Sequence, residues 1–286
     1  MVSLVKMRNN LKIFSYMGSK QRHLSELNMY VNNSNRNIYV EPFLGSGALF
    51  LNLCKDFDNY FLSEKDPNLY NLWNCLIYNT KPKEFSEYYK EISFKFKVDT
   101  YDGYYNLRSH FNDKLYKTAS KEEAYCLLTL IGSTLNSMVR FGPNGYNSSF
   151  GYKCISDSNL VLFEESVKHL IKIKDKIILK KNYKEIIDIE NSFVFIDPPY
   201  YLRPMSNNNW KEEDTIELFN LLNMDNDIIY TDIENKYGDS NFRYKKPLNV
   251  KIRNISPNRK EECIIMNEMI YSNISTSTKN FFIKKR

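Results

Sequence analysis

The feature of this sequence that most constrains its fold is a short apolar run that ends in an acidic residue and two prolines. Residues 193–196 form the run, and the tetrapeptide Asp197-Pro198-Pro199-Tyr200 follows it directly. This pattern predicts a strand buried in a parallel sheet, followed by a stiff turn. Ligands bind beyond the carboxyl ends of strands in open α/β sheets, so we expect a carboxylate, a proline carbonyl oxygen and an aromatic ring beside a pocket. Such a group suits chemistry on a planar amine.

Strand and helix signals alternate at both ends of the 286-residue chain and stop in its middle. The signals predict strands at residues 38–40, 60–63, 177–179, 193–196 and 227–230, helices at 48–55, 68–78, 121–133, 159–173, from 183 onward and at 212–222, and later apolar runs at 250–252 and 263–266. The middle stretch is rich in tyrosine and charged residues and contains a Gly/Asn/Ser loop at 141–151. This order predicts an α/β fold: a doubly wound sheet from residues 1–80 and 154–286, with a mainly helical subdomain inserted at 81–153.

Composition argues against several classes of protein. No apolar run approaches the ~18 residues that a membrane span needs, and residues 1–12 lack the apolar stretch of a secretory signal. The five scattered cysteines include no C-x-x-C pair and the three histidines have no metal-ligand spacing, which predicts reduced thiols in a cytoplasmic protein and no metal site. The net charge of +6 is compatible with a nucleic-acid partner, although many proteins without such a partner are as basic.

A glycine-rich turn follows the first predicted strand, and an acidic residue follows the second. Gly45 and Gly47 let the backbone approach a ligand closely, and Ser46 between them is a candidate cap for the next helix. No Gly-Lys-Ser/Thr follows, so this is not a phosphate-binding loop. Glu64 stands roughly twenty residues downstream, where nucleoside-binding α/β folds hold a ribose diol. Each feature also has a plain structural interpretation, as a tight turn and as a solvated acid before a helix.

Taken together and in order, these segments resemble the Dam-type, or D12 class, DNA adenine-N6 methyltransferases. The resemblance covers nearly the whole chain, and the matching segments are Phe14-Ser15-Tyr16-Met17-Gly18-Ser19-Lys20 (family pattern K-W/Y-x-G-G-K), Glu41-Pro42-Phe43-Leu44-Gly45-Ser46-Gly47-Ala48 (E-P-F-x-G-x-G-A), Leu62-Ser63-Glu64-Lys65-Asp66-Pro67 (L-x-D-x-N), Asn136-Ser137-Met138-Val139-Arg140 (F-N-G-x-x-R), Gly145-Tyr146-Asn147-Ser148-Ser149-Phe150-Gly151 (G-x-F-N-x-P-F-G), Asn182-Tyr183 (D-F) and Asp197-Pro198-Pro199-Tyr200. The cofactor loop precedes the insertion and the D-P-P-Y motif follows it, which is the order of the α group.

The resemblance implies a Rossmann-like methyltransferase sheet, an inserted target-recognition subdomain and transfer of a methyl group from S-adenosyl-L-methionine to N6 of a flipped-out adenine in double-stranded DNA. S-adenosyl-L-homocysteine would be the second product. The implied residues are Asp197, Pro198, Pro199 and Tyr200 for catalysis, Tyr16, Lys20, Phe43, Gly45, Gly47, Glu64, Tyr183 and Asp197 for the cofactor, and Asn136, Arg140 and Asn147 for DNA. A cognate restriction endonuclease is a further partner that it suggests. The oligomeric state is left open.

Asp197, the first residue of the tetrapeptide, has a clear chemical role in such a reaction. Adenine N6 is a poor nucleophile because its lone pair is delocalised into the ring. We expect the Asp197 carboxylate and the Pro198 carbonyl oxygen to accept hydrogen bonds from its two N–H groups and so concentrate the lone pair on the nitrogen, while Tyr200 stacks on the base. The adjacent Pro199 restricts Pro198 and would keep its carbonyl oxygen in place.

The chain also departs from the family pattern, mostly in the segment that would read DNA. The departures are Ser19 and Ser137 for glycine, Leu135 for phenylalanine, Ser149 for proline, Gly132 where arginine is common, and Asn182 for aspartate. The resemblance therefore does not assign the DNA sequence that the protein would recognise. Methylation of cytosine N4, of RNA adenine or of a protein amide stays open, as does a catalytically silent DNA-binding module.

Four further interpretations stay open in the sequence. Lys20 and Arg140 could be surface charges, and Trp210 could belong to the core or to a lid. A group of basic residues could face phosphate or simply be solvated: Lys245, Lys246, Lys251 and Arg253.

Overall fold

The computed structural model describes residues 10–202, 210–248, 268–276 and 282–283. The strands of this part of the chain are β1 (Ile38–Glu41), β2 (Asn59–Ser63), β3 (Phe141–Gly142), β4 (Gly145–Tyr146), β5 (Ile177–Lys180), β6 (Ser192–Ile196), β7 (Asp227–Ile233), β8 (Tyr244–Leu248), β9 (Glu268–Ser272) and β10 (Phe282–Ile283). The helices are α1 (Leu24–Asn33), α2 (Ala48–Leu51), α3 (Pro67–Tyr78), α4 (Glu84–Phe96), α5 (Tyr101–His110), α6 (Lys121–Ser133), α7 (Asp157–Ile173), α8 (Glu212–Leu221) and α9 (Lys236–Asn241). Within these ranges, no helix is both long and apolar enough to cross a bilayer.

Eight of the strands form one sheet in the order β10-β8-β9-β7-β6-β1-β2-β5. The strands from β7 to β5 are parallel to their neighbours, whereas β9, β8 and β10 pair antiparallel. The chain leaves β1 toward β2 on one side and later returns to β6 on the other side. This reversal places the topological switch point, where ligands bind in doubly wound folds, between β1 and β6.

The sheet is buried on both faces, as expected for parallel strands covered by helices. Alternate residues of β1 and β6 belong to two different apolar clusters. Tyr39 and Phe193 lie in the larger cluster, with ring centroids 6.1 Å apart, whereas Val40 and Val194 lie in the other. The predicted α/β, Rossmann-like sheet is thus confirmed.

The middle of the chain, between residues 81 and 153, is mainly helical. Helix α4 is followed by α5, a π-helical segment, Phe111–Leu115, lies between α5 and α6, and α6 leads to the small hairpin of β3 and β4. Side chains cap two of these helices: Thr100 accepts the N–H of Gly103, and Ser120 accepts that of Glu123. Apolar side chains of α4 and α6 share the cluster that contains α3, so one core runs through both parts. The division at 81–153 stays a prediction.

Several predicted element boundaries are wrong in detail. The helix expected at 48–55 ends at Leu51, because Asn52 turns its side-chain amide back onto the Ala48 carbonyl oxygen at 2.9 Å. Gly47, not Ser46, precedes it, in a left-handed conformation with φ of 60°. The helix expected from residue 183 is a single 3₁₀ turn, Tyr183–Glu185. The loop at 141–151 contains the hairpin, and the apolar runs at 250–252 and 263–266 lie outside the described residues.

Candidate active site

The carboxylate of Asp197 lies at the end of β6, beside the switch point, and its side chain is 19% exposed. Both of its oxygens accept hydrogen bonds from Lys20 Nζ at 2.7 Å. The Thr231 hydroxyl on the neighbouring strand β7 donates to Oδ1 at 2.7 Å, and the Tyr200 hydroxyl lies 3.0 Å from the same oxygen. Lys20 and Thr231, on two separate segments, therefore hold the Asp197 carboxylate in one orientation.

Lys20 is buried rather than a surface charge, with only 4% of its side chain exposed. Its ammonium contacts two carboxylates, since Glu268 Oε1 lies 2.9 Å away, and the Gly18 carbonyl oxygen accepts at 3.2 Å. Burial alone would lower the pKa of Lys20, but the carboxylates of Asp197 and Glu268 outweigh it and raise that pKa above its ordinary value. Lys20 is therefore a charged member of the site.

The turn after β6 joins this cluster through the Tyr200 hydroxyl. That hydroxyl accepts from Lys20 Nζ at 3.1 Å and donates to Glu268 Oε1. Burial is the main reason why the pKa of Tyr200 lies well above its ordinary value, and the nearby carboxylates add to it. Pro198 is buried, whereas Pro199 and Tyr200 are half-buried. The D-P-P-Y turn thus leads from the end of β6 to the Tyr200 hydroxyl, which contacts Lys20 and Glu268.

The glycine turn after β1 is held against the end of β2. Gly45 donates its N–H to Glu64 Oε2 at 3.1 Å, and Asp66 donates its own to Oε1 at 2.9 Å. Burial raises the pKa of Glu64 to about 7, although these backbone N–H groups oppose the shift. Gly47 has φ of 60°, and a Cβ there would lie 2.7 Å from the ring of Trp73. The loop therefore needs glycine at this position for both conformation and space.

Three aromatic rings line the loop beyond β1. Phe43 stacks on Tyr183 with centroids 5.1 Å apart, and Trp210 packs edge-on against Phe43 at 5.4 Å. Trp210 is half-buried, and its indole N–H donates to the Thr215 hydroxyl at 3.0 Å. On the other side of the turn, the ring of Tyr16 comes within 3.5 Å of the position that a Cβ on Gly45 would occupy. The predicted cofactor residues thus surround one loop.

Two more buried acids lie near Asp197. Glu41 ends β1 and accepts the Tyr39 hydroxyl at 2.6 Å, while Asp232 on β7 accepts the Tyr230 hydroxyl. Burial raises the pKa of Glu41 to about 8 and that of Asp232 to about 7, and the charge of Asp197 adds to both shifts. The carboxyl ends of β1, β6 and β7 therefore share an acidic environment.

The residues predicted to contact DNA lie in or beside the β3–β4 hairpin, and the hydrogen bonds described for Arg140 and Asn147 involve the hairpin segment rather than Asp197 or Lys20. Arg140 donates from Nε to Asn147 Oδ1 at 2.7 Å and from its terminal guanidinium to the Asn147 carbonyl oxygen at 3.3 Å. The backbone N–H of Arg140 is held by the Ser148 hydroxyl. Asn136 is exposed and left-handed, with φ of 53°. The structure thus joins Arg140 to Asn147, a pairing that the sequence did not reveal.

Lys245 and Lys246, predicted either to face phosphate or to be solvated, are both in ion pairs. Lys245 lies 3.0 Å from carboxylate oxygens of both Glu234 and Asp239, and Lys246 pairs with Glu26. Lys251 and Arg253 lie outside the described residues. The described residues contain no group of three or more His, Cys, Asp or Glu side chains that could hold a metal.

Sequence reasoning missed three groups at the site: Thr231, Glu268 and Trp73. Thr231 and Glu268 come close to Asp197 or its partners because β7 pairs with β6 and β9 pairs with β7, and no local sequence pattern predicts this pairing. Trp73 donates its indole N–H to the Gly45 carbonyl oxygen at 2.9 Å. Its place on α3, one helix after the loop, was the only available signal.

The family model for D12 class N6 adenine-specific DNA methyltransferases matches residues 16–260 of the chain. Among curated proteins, the DNA adenine methylase of Haemophilus influenzae is 30% identical over 191 residues, covering 65% of this chain and 62% of that protein. The Type II methyltransferase M.CviBI of Paramecium bursaria Chlorella virus NC1A is 28% identical over 193 residues, covering 66% and 68%. The DNA adenine methylase of Serratia marcescens is 26% identical over 200 residues, covering 68% of each chain.

The match with the Haemophilus protein spans less than two thirds of that protein's length. The family match, by contrast, runs from Tyr16 through both glycine and D-P-P-Y segments, and so includes most of the chain. The protein belongs to the family of D12 class N6 adenine-specific DNA methyltransferases.

Proposed function

We propose that this protein transfers a methyl group from S-adenosyl-L-methionine to N6 of an adenine in double-stranded DNA. The observation that carries the proposal is the position of Asp197: an accessible carboxylate at the switch point of a doubly wound sheet, fixed by Lys20 and Thr231. Family membership and the names of the relatives, which include two DNA adenine methylases, support the same activity.

The loop between β1 and α2 fits the proposed cofactor. Glu64 is half-buried and keeps lone pairs that could accept hydrogen bonds from ribose hydroxyls, since two carboxylate oxygens offer about four acceptor positions and the backbone N–H groups of Gly45, Lys65 and Asp66 occupy only part of them. Gly45 and Gly47 leave the loop without side chains, and Phe43 and Tyr183 offer flat apolar faces. We propose that these residues, with Tyr16, Lys20 and Asp197, hold the cofactor, which supplies an electrophilic methyl group when bound.

The chain's own residues would raise the reactivity of the amine. We propose that the Asp197 carboxylate and the Pro198 carbonyl oxygen accept hydrogen bonds from the two N–H groups of N6, so that the nitrogen lone pair points at the methyl group. Positive charge grows on N6 during transfer, so fixed acceptors stabilise the transition state more than the ground state. Pro199 would keep Pro198 rigid, and the Tyr200 ring would stack on the base.

Access to N6 requires the adenine to leave the duplex, since its amine is paired within the helix. We propose that the segment 81–153 binds the DNA, while residues 1–80 and 154–286 form the catalytic domain. Arg140 is the main candidate for contact with a guanine or a phosphate, and Asn136 and Asn147 flank it. The cytoplasmic location and a cognate restriction endonuclease stay predictions; one relative is named a Type II methyltransferase.

Labelled-methyl transfer tests the proposal directly. The purified protein is incubated with methyl-labelled S-adenosyl-L-methionine and mixed-sequence duplex DNA or, in a parallel reaction, RNA, and the modified bases are identified and mapped. We expect label on adenine N6 at one short motif, and a loss of about 10²–10³-fold or more in Asp197→Ala. Label on cytosine or RNA, or no label from a folded protein that binds DNA, would each contradict the proposal and select one of the alternatives.

A further inference from the structure

Glu268 is a buried carboxylate at the active site to which the proposed function assigns no role. It is the first residue of β9, next to β7, and is 7% exposed. Its two closest partners, Lys20 Nζ at 2.9 Å and the Tyr200 hydroxyl, are both also partners of Asp197. Glu268 therefore competes with Asp197 for the same hydrogen-bond donors.

This competition affects how much acceptor capacity Asp197 keeps for a substrate. Oδ1 lies within hydrogen-bond distance of Lys20, Thr231 and Tyr200, whereas Oδ2 contacts only Lys20 among the described residues. A phenol has one proton, so Tyr200 serves either Asp197 or Glu268 at a given moment. When Tyr200 donates its hydrogen bond to Glu268, Asp197 keeps more of its acceptor capacity for an amine.

The same residue also sets the charge of the cluster. Asp197 and Lys20 alone would form a neutral ion pair, which would weaken the carboxylate as an acceptor. With Glu268 the cluster holds two carboxylates and one ammonium, a net charge of −1. Burial raises the pKa of Glu268, but the Lys20 ammonium and the Tyr200 hydroxyl outweigh it and lower that pKa below its ordinary value, which keeps the carboxylate ionised.

We infer that Glu268 is a positioning residue for methyl transfer, which binds Lys20 and Tyr200 so that Asp197 keeps acceptor capacity for the amine and a net negative charge faces it. The inference rests on the proposed function. As the N6–methyl bond forms and the sulfur–methyl bond breaks, positive charge passes to N6, whose surplus proton then leaves to solvent. A cluster of charge −1 favours that change more than a neutral cluster does.

The test compares Glu268→Gln, which keeps the shape and removes the charge, with Glu268→Asp, which keeps the charge. Glu165→Gln is the matched control, because this residue lies on α7 with a half-exposed side chain and pairs with Lys168. Single-turnover methyl transfer, the Kd values for cofactor and DNA, and thermal unfolding are measured for each. We expect Glu268→Gln to slow transfer about 10- to 100-fold with both Kd values within about threefold of the wild type. Glu268→Asp should recover most of the rate.

Two results would overturn the inference. One is a Glu268→Gln variant that transfers methyl at the wild-type rate, or that loses only binding. The other is a Glu268→Asp variant that is folded and at least as slow as the amide; a slow, folded Glu268→Asp variant decides the matter even if Glu268→Gln does not fold. Failure of the proposed function would look different, because the wild-type protein itself would then place no label on adenine.

Discussion

The carboxyl end of the sheet, around Asp197, and the β3–β4 hairpin differ in how firmly hydrogen bonds hold their side chains. Asp197 is fixed by donors from two other segments, Lys20 and Thr231, and its main partner Lys20 is almost fully buried. Arg140 and Asn147, in contrast, bind chiefly each other, on a hairpin whose tip is exposed. The proposed function gives a reason for this difference, since bond formation needs groups fixed in advance, whereas a surface that binds DNA must meet a partner that is itself deformable. This difference suggests where each kind of substitution will act.

The first way to sharpen the comparison uses pH, because among the described residues the carboxyls whose pKa values are raised to near neutrality lie at the carboxyl end of the sheet. Glu41, with a pKa of about 8, keeps a proton in the folded protein that the unfolded chain loses above its ordinary pKa near 4.5. The folded state thus binds more protons in this window, and stability falls as pH rises from about 4.5 to 8. Glu41→Gln should remove up to about 1.4 kcal/mol per pH unit of that slope.

Denaturant unfolding at several pH values between 5 and 8 measures this slope. Glu64 and Asp232, whose pKa values are raised to about 7, contribute in the same direction, so part of the slope should remain. Glu165→Gln on α7 is the control and should leave the slope unchanged. Parallel curves for the wild type and Glu41→Gln would show that Glu41 is ionised in the folded protein.

The second test concerns the hairpin. Arg140→Ala should reduce discrimination between the methylated motif and its single-base variants by about 10- to 100-fold, since a bidentate arginine–guanine contact contributes about 1–3 kcal/mol. The transfer step on saturating cognate DNA should change far less, because the described hydrogen bonds of Arg140 go to Asn147 and Ser148 and not to Asp197 or its partners. Rates on a panel of substituted duplexes measure both quantities, and Lys168→Ala on α7 is the control. Equal weakening on all sequences with a smaller salt dependence would make Arg140 a phosphate contact instead.

The same contrast separates what the sequence could predict from what it could not. The turn of Asp197, Pro198 and Tyr200 was predictable because a strand and its turn are adjacent in the chain, and the turn of Gly45 and Gly47 because a left-handed backbone favours glycine. Glu268 and Thr231 were not, because they reach the site through the pairing of β9, β7 and β6, and strand order is a property of the whole sheet. The Arg140–Asn147 bond was hidden for a similar reason: it depends on a two-residue hairpin within a segment predicted as a loop.

The smallest expected effect comes from Asn147, and it tests whether this residue reads DNA or only holds Arg140. Its side-chain oxygen accepts the Arg140 Nε at 2.7 Å, which leaves that oxygen largely engaged. Asn147→Ala should therefore reduce discrimination about three- to tenfold, the usual size of one hydrogen bond of about 0.5–1.5 kcal/mol. Asn144→Ala, at the exposed turn of the same hairpin, is the control. If Asn147 acts through Arg140, the double variant Arg140→Ala/Asn147→Ala should discriminate no worse than Arg140→Ala alone, whereas additive losses would mean that Asn147 contacts DNA by itself.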